Sequence, residues 1–318
     1  MVKNTYTTIA NMTPLPDIQE EITPKKTILA AIPGETVIFD TNGVLKYPLN
    51  VTNLTMNPLS ELARHILGII GSYECVNTKQ ITDVLNLLGI AVNYKHLTTA
   101  TDRLKKAGLI HIFRFKNENE SKPAGYVVYI LSRDGEAALS SMGIVVNKPN
   151  AYNVVMDPTV VKKKLATNQI LFAYLKRNTS VTRFDKSKRF SVECTSGETV
   201  TVRPSLILQF KDQSTAFYEV VRQTTFWETD LENKLLRYKT MFDNYETEIP
   251  QLIICAENQS HARKIHKMVQ SIKLEAFLTH DLLFFGSDFD QHIFTIDEQC
   301  EIENFKISFD EEESTKCG

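Results

Sequence analysis

The chain has 318 residues, 42% of them hydrophobic and 23% charged, with a formal net charge of -2. That balance excludes a disordered polyelectrolyte and a polybasic chain that binds nucleic acid by bulk charge alone. It supplies enough apolar surface for two domains of ordinary size, because single cores stop growing near this length.

Residues 1 to about 35 are rich in Thr and Pro, show no clean period and read as a loose arm. Thr36–Phe39 and Val44–Tyr47 flank Asp40-Thr-Asn-Gly43, a hairpin signal, so residues 1–55 are expected to form an arm with a β-hairpin. Asn50 to Pro58 reads as a linker. Leu59, Leu62, Ala63, Ile66, Leu67 and Ile70 then recur at helical spacing, with Gly71-Ser72 as the expected stop. Asn77 or Thr78 is placed to cap a second helix that turns Ile81, Val84, Leu85 and Leu88 inward and ends at Gly89. Asn93 caps a third through about Ala107, with Leu97, Ala100, Thr101 and Leu104 inside and Gly108 closing it. Strands at 109–115 and 125–131, a polar loop from Lys116 to Pro123, and a helix capped by Ser132 complete a module spanning 56–148.

The second half predicts a helix from Pro158 to Asn178 and strands at 190–195, 199–210 and 216–222. A helix over 227–245, a buried strand at 251–256, a helix over 258–272 and strands at 274–277 and 282–285 follow. This is an α/β arrangement around a small mixed sheet, spanning 154–296. Residues 297–318 carry Asp310-Glu311-Glu312-Glu313 and read as an acidic, disordered tail. The basic runs Lys162-Lys163-Lys164 and Arg183 to Arg189 read as solvated faces, with an anionic partner as the alternative.

The five cysteines, Cys75, Cys194, Cys255, Cys300 and Cys317, show no C-x-x-C pair, which speaks against a zinc site or a disulfide framework. Reduced thiols in a cytoplasmic protein are expected. No secretory segment follows Met1-Val2-Lys3, and no apolar run reaches the roughly 20 residues of a membrane helix, so a soluble chain without a membrane partner is expected. No nucleotide motif occurs, and no cofactor is expected. His261 and His266 are off the i,i+4 spacing of a shared metal and are expected on the surface. Asp288, Asp290 and His292 read as turn residues, and Trp227 as core.

Three helices followed by a two-stranded hairpin, with Leu97-Thr-Thr-Ala-Thr-Asp-Arg-Leu-Lys-Lys-Ala-Gly-Leu-Ile110, resemble the winged helix-turn-helix superfamily. The resemblance covers about Asn57 to Met142 and implies binding of double-stranded DNA. A major groove accepts one α-helix, and Arg, Lys and Thr side chains pair with base edges. Lys95, His96, Thr99, Arg103 and Lys106 face away from the apolar stripe and are the candidate DNA contacts. Arg114, Lys116 and Lys122 join them from the hairpin and its loop, and Lys105 is a further phosphate contact. Met56–Lys148 holds eleven Lys+Arg against eight Asp+Glu, a modest surplus.

Arg203-Pro-Ser, then Glu219-Val-Val-Arg222, then a helix with Lys234 and Tyr238, resemble the replication-relaxation family of plasmid and conjugative-element proteins. That family joins an N-terminal winged helix to a core similar to PD-(D/E)XK nucleases. Ser205 stands where the family has Asp, and Val221 where the nucleases have Lys. Two-metal hydrolysis needs several oxygen ligands around Mg²⁺, so a non-catalytic relative is expected. Glu219 and Lys234 would act only under the nuclease alternative, with Mg²⁺ as its cofactor. Glu219 and Arg222 are expected to pair with Lys234 or Arg237; alternatively Arg222, Lys234 and Arg237 grip DNA phosphates. Leu235, Leu236 and Tyr238 are expected on the packing face of their helix.

The fold class expected is thus an α+β and α/β mix: a winged helix, then a nuclease-like mixed-sheet core. The function expected is site-specific DNA binding in replication, relaxation or transfer of a mobile element. Relaxase or replication proteins, or a second copy of the chain, are the candidate protein partners. A metal-dependent endonuclease, a transcriptional regulator and a protein-interaction scaffold are the alternatives.

Overall fold

The computed structural model describes residues 12–14, 29–40, 59–118, 126–146, 157–177, 181–186, 188–195, 197–244, 249–284, 293–296 and 302–307. It is a mixed α/β protein whose chain divides into two compact units, Ala31–Phe172 and Met1–Ala30 with Ala173–Gly318. Among the described residues no helix is long and apolar enough to cross a membrane.

The first unit follows the sequence signals closely. Strand β2 (Glu35–Phe39) is followed by α1 (Glu61–Tyr73), β3 (Cys75–Asn77), α2 (Thr78–Leu87) and α3 (Tyr94–Lys106). Strands β4 (Ile110–Asn117) and β5 (Val128–Leu131) and helix α4 (Arg133–Ser141) come next. Each helix start is fixed by a side-chain cap. Ser60 caps α1, Asn77 and Gln80 form a reciprocal capping box on α2, Asn93 caps α3 and Ser132 caps α4. Gly89 and Gly108 adopt the left-handed conformation that ends α2 and α3. Leu97, Ala100, Thr101 and Leu104 are buried, as the helical period requires.

Gly71 does not stop α1. The helix continues to Tyr73 and ends where Glu74 turns to a φ of 68°. Gly71 is instead a close-packing position, where a Cβ would lie 2.6 Å from Leu139 Cδ1. The four-stranded sheet has the order β2-β4-β5-β3. β3 pairs with β5 through Cys75↔Ile130, and β2 pairs with β4 through Val37↔Phe115. A strand expected in the N-terminal arm therefore completes this sheet. Its proposed hairpin partner, Val44–Tyr47, lies outside the described residues.

Helix α5 (Pro158–Lys176) is buried on most sides, and its basic run is not a solvated face. Lys162 is 1% exposed, pairs with Glu35 at 2.5 Å and lies 5.1 Å above the Phe115 ring; Lys164 pairs with Glu74. Gln80 Nε2 donates to the Leu165 carbonyl, and Asn168 Nδ2 donates to the Cys75 carbonyl.

The second unit holds an eight-stranded sheet in the order β1-β14-β13-β12-β11-β10-β9-β6. Its strands are β1 (Met12–Pro14), β6 (Val181–Asp185), β9 (Leu206–Phe210), β10 (Thr215–Val220), β11 (Gln251–Ala256), β12 (Phe277–His280), β13 (Ile293–Ile296) and β14 (Ile302–Ile307). β10, β11 and β12 are parallel, joined by α6 (Trp227–Asp243) and α7 (Gln259–Ile272); the remaining neighbours are antiparallel. A separate ribbon pairs β7 (Phe190–Glu193) with β8 (Thr199–Val202).

Three expectations change here. The run 199–210 is two strands in two sheets, broken at the buried Pro204, which has no amide proton for a ladder. Residues 281–284 form a 3-10 turn rather than a strand, starting at the buried Asp281. The terminal stretch is not a free tail throughout, because Ile302–Ile307 pairs with β13 and with β1 from the N-terminal arm. The Asp310–Glu313 run lies outside the described residues.

Candidate functional site

Two clusters carry chemistry, one in each unit. In the first, α3 turns Leu97, Ala100 and Leu104 inward and leaves Lys95, His96, Thr99, Arg103 and Lys106 exposed. Positions 95, 99 and 103 are successive i,i+4 neighbours, with 106 three further on, so one stripe carries cations at both ends. Thr99 Oγ1 donates to the Lys95 carbonyl at 2.9 Å. Asp102 is the acidic residue on the exposed side of the helix. Arg103, Lys105 and Lys106 lie in the last turn, where cations also offset the helix dipole.

Lys105 does not belong to the exposed stripe. It is buried, and its ammonium pairs with Asp40 at 2.8 Å. Tyr94 does belong, at 76% exposed. Its position three before Leu97 puts it on the inner stripe by period alone, but the helix begins there and no inner neighbour precedes it. Arg114 is exposed on β4, opposite Ile38 of β2, while Lys116 is half-buried with its carbonyl accepting from Thr36 Oγ1. Lys122 lies outside the described residues.

In the second unit, Glu219 on β10 is 1% exposed. Its Oε1 accepts from Ser205 Oγ at 3.2 Å, and its Oε2 accepts from Tyr238 OH at 3.4 Å. Lys234 Nζ lies 2.5 Å from Oε2 and also donates to the Arg203 carbonyl at 2.9 Å. Ser205 Oγ in turn accepts from the Val220 amide. Burial, then the adjacent Glu219 carboxylate, push the Tyr238 hydroxyl well above its usual pKa, so it stays a donor. Both oxygens of the carboxylate are therefore occupied by groups of the chain itself. Among the described residues, no group of three or more His, Cys, Asp or Glu is arranged to hold a metal ion.

Arg222 is not part of this cluster. It lies two residues past the end of β10, in the segment that leads to α6. Its side chain is 1% exposed, and NH2 donates to Asp281 Oδ1 at 2.9 Å. It presents no surface to a phosphate. The Cys255 thiol, 3.6 Å from the same Oδ1, is pushed well above its usual pKa by burial and by Asp281. Arg237 is exposed on α6, as is Leu236 at 48%, so Leu236 does not join Leu235 and Tyr238 on the packing face.

His261 is fully buried rather than on the surface. Its Nδ1 accepts from the Glu257 amide at 3.2 Å, and its ring meets the core residue Trp227 edge-on at 4.5 Å. Burial, then Arg222 and Lys264, lower its pKa to about 3; burial lowers that of His280 to about 4. Both stay neutral in the fold, whereas the unfolded chain protonates them near pH 6.5. The unfolded state binds more protons below that pH, so stability falls as the pH drops from about 6.5 toward 4. His261 alone should cost about 2 kcal/mol between pH 7.5 and 5. Urea unfolding at the two pH values checks this, and His261→Gln should shrink the difference by about that amount.

No family model, curated protein or solved structure matches this chain.

Proposed function

We propose that the chain is a sequence-specific DNA-binding protein acting in the cytoplasm as an accessory in replication, relaxation or transfer of a plasmid or other mobile element. The first unit is a winged helix that sets α3 into the major groove, with Lys95, Thr99 and Arg103 at base edges and Lys106 and Arg114 on phosphates. The observation that carries the reading is the α3 stripe: a well-capped helix, one face fully buried, the other a run of unburied cations and hydroxyl. The order of three helices and two strands, with the short β3 closing the sheet against β5, supports the winged-helix assignment.

The second unit is a PD-(D/E)XK-like core that does not hydrolyse DNA. The occupation of Glu219 by Lys234, Ser205 and Tyr238 supports this, since a hard cation would have to displace an ammonium from 2.5 Å. Supercoiled plasmid incubated with the protein and Mg²⁺ or Mn²⁺ should stay closed. Nicking that Glu219→Ala abolishes would contradict the non-catalytic reading.

Arg103→Ala should weaken binding to the cognate fragment by roughly ten-fold or more and relax its preference over other duplexes. Fluorescence anisotropy on genomic fragments and a random duplex measures both. Equal binding by the variant and the parent chain would contradict the role given to α3.

A further inference from the structure

The basic run Arg183 to Arg189 has no part in the function proposed above, and the structure gives it a definite setting. β6 is the terminal strand of the large sheet among the described residues, and Thr182, Arg183 and Phe184 are all exposed on it. The chain then turns at Asp185, whose Oδ1 accepts from the Lys188 amide at 2.7 Å, and enters the β7–β8 ribbon. One face of that ribbon is anchored: the Phe190 ring packs 4.7 Å from that of Phe217, and Val202 is buried. By the period of two, the other face carries Ser191 on one strand and Thr201 on the other, with Arg189 and Arg203 one residue past the strand ends. All four are exposed, and the Ser191 and Thr201 hydroxyls are 2.8 Å apart.

Arg189 and Arg203 each lie one residue beyond the terminal pair Phe190↔Val202, so the register brings both to the same end of the ribbon. Like charges facing across two strands are destabilising unless an anion lies between them. Among the described residues neither arginine, nor Arg183 or Lys188, enters an ion pair; Lys188 instead lies 4.8 Å above the Phe190 ring. Asp185 is the only carboxylate within 181–190. Glu193 lies about 13 Å along β7 from Arg189, at a strand rise of about 3.3 Å per residue. The ribbon's open end is therefore cationic, packed on its inner side and flanked by hydroxyls, a combination that matches phosphate oxygens.

The geometry points to a second nucleic-acid contact in this protein: Arg189 and Arg203 bind the phosphate backbone of duplex DNA without reading its sequence. This goes beyond the α3 reading and requires no base recognition by the first unit. The Arg203 carbonyl also holds Lys234, so the same short segment joins the ribbon to the Glu219 cluster.

The test uses the full chain and a fluorescent random-sequence duplex of about 20 base pairs, titrated between about 50 and 200 mM salt. The Arg189→Ala/Arg203→Ala variant should bind about ten-fold or more weakly at the low end and lower the slope of log K against log salt by about 1.8. It should weaken random and cognate duplexes alike, whereas Arg103→Ala weakens the cognate one selectively. Arg189→Lys/Arg203→Lys keeps the charge and should retain most of the affinity. An unchanged affinity and slope in the double alanine variant overturn the proposal, as does equal loss in the alanine and lysine variants, or a parent chain that fails to bind random duplex. Sequence-indifferent binding that depends on Arg189 and Arg203 but not on Arg103 would support this contact and sink the α3 reading instead.

Discussion

Replacing Arg222 by alanine should destabilise the second unit by about 3–5 kcal/mol, the largest single effect expected outside the apolar core. The cost does not reflect a strong ion pair. It reflects what is left behind: Asp281, 1% exposed, would keep a charge with no guanidinium beside it. Asp281→Ala should cost a comparable amount by stranding the guanidinium, whose Nε is already buried without a hydrogen-bond partner among the described residues. Removing both charges is a different experiment. Arg222→Met with Asp281→Leu takes away two desolvation penalties together with their mutual attraction, so the double variant should recover most of the loss. Urea unfolding followed in the second unit, through Trp227 fluorescence, reads the cycle. Additive losses in the double variant would contradict a pair that acts as one unit.

Gly135→Ala should be the most damaging small change in the first unit. Gly135 lies in the opening turn of α4, where an added Cβ would sit 2.0 Å from the Leu109 carbonyl oxygen and 3.1 Å from Leu131 Cδ2. A main-chain oxygen cannot rotate away as a side chain can. The helix start would have to lift, and the Ser132 amide would lose its bond to the same Leu109 carbonyl, 3.1 Å away. Overpacking and a disturbed cap together should cost about 3 kcal/mol. Gly68→Ala is the matched control, because nothing lies within 4 Å of its added Cβ. It should be neutral or stabilise by up to about 1 kcal/mol through helix propensity. Hydrogen exchange in Ala31–Phe172 should speed up for Gly135→Ala and not for Gly68→Ala.

The first unit was legible in the sequence because its signals are local. A cap at Asn93, a stripe at Leu97, Ala100, Thr101 and Leu104, and a stop at Gly108 all lie within one helix. The parts that escaped depend on partners far along the chain. Lys105 reads as an exposed cation until Asp40 is brought beside it, and Lys162 until Glu35 is. Arg222 reads either as part of the Glu219 cluster or as a phosphate ligand until the chain returns with Asp281 at the start of a 3-10 turn. His261 reads as a surface residue because its neighbours Arg263 and Lys264 are exposed, although its own position on α7 points into the core with Ala262 and Ile265. The strand Ile302–Ile307 was hidden by the acidic residues around it, since composition measured over the whole terminal segment masks a short pairing segment. Of the pairings expected for Glu219 and Arg222 with Lys234 or Arg237, the structure shows the one between Glu219 and Lys234, two positions singled out by the family resemblance.

Selection of a DNA sequence falls to α3 in the function proposed for this protein. Fragmented genomic DNA captured by the full chain, sequenced, and compared with capture by Lys95→Ala/Arg103→Ala tests it directly. A small set of strongly enriched fragments sharing one motif is expected with the parent chain, and their loss in the variant while a low, even background of DNA persists through the β7–β8 ribbon. Even recovery of all fragments by the parent chain, or the same enriched motif with the variant, would contradict it.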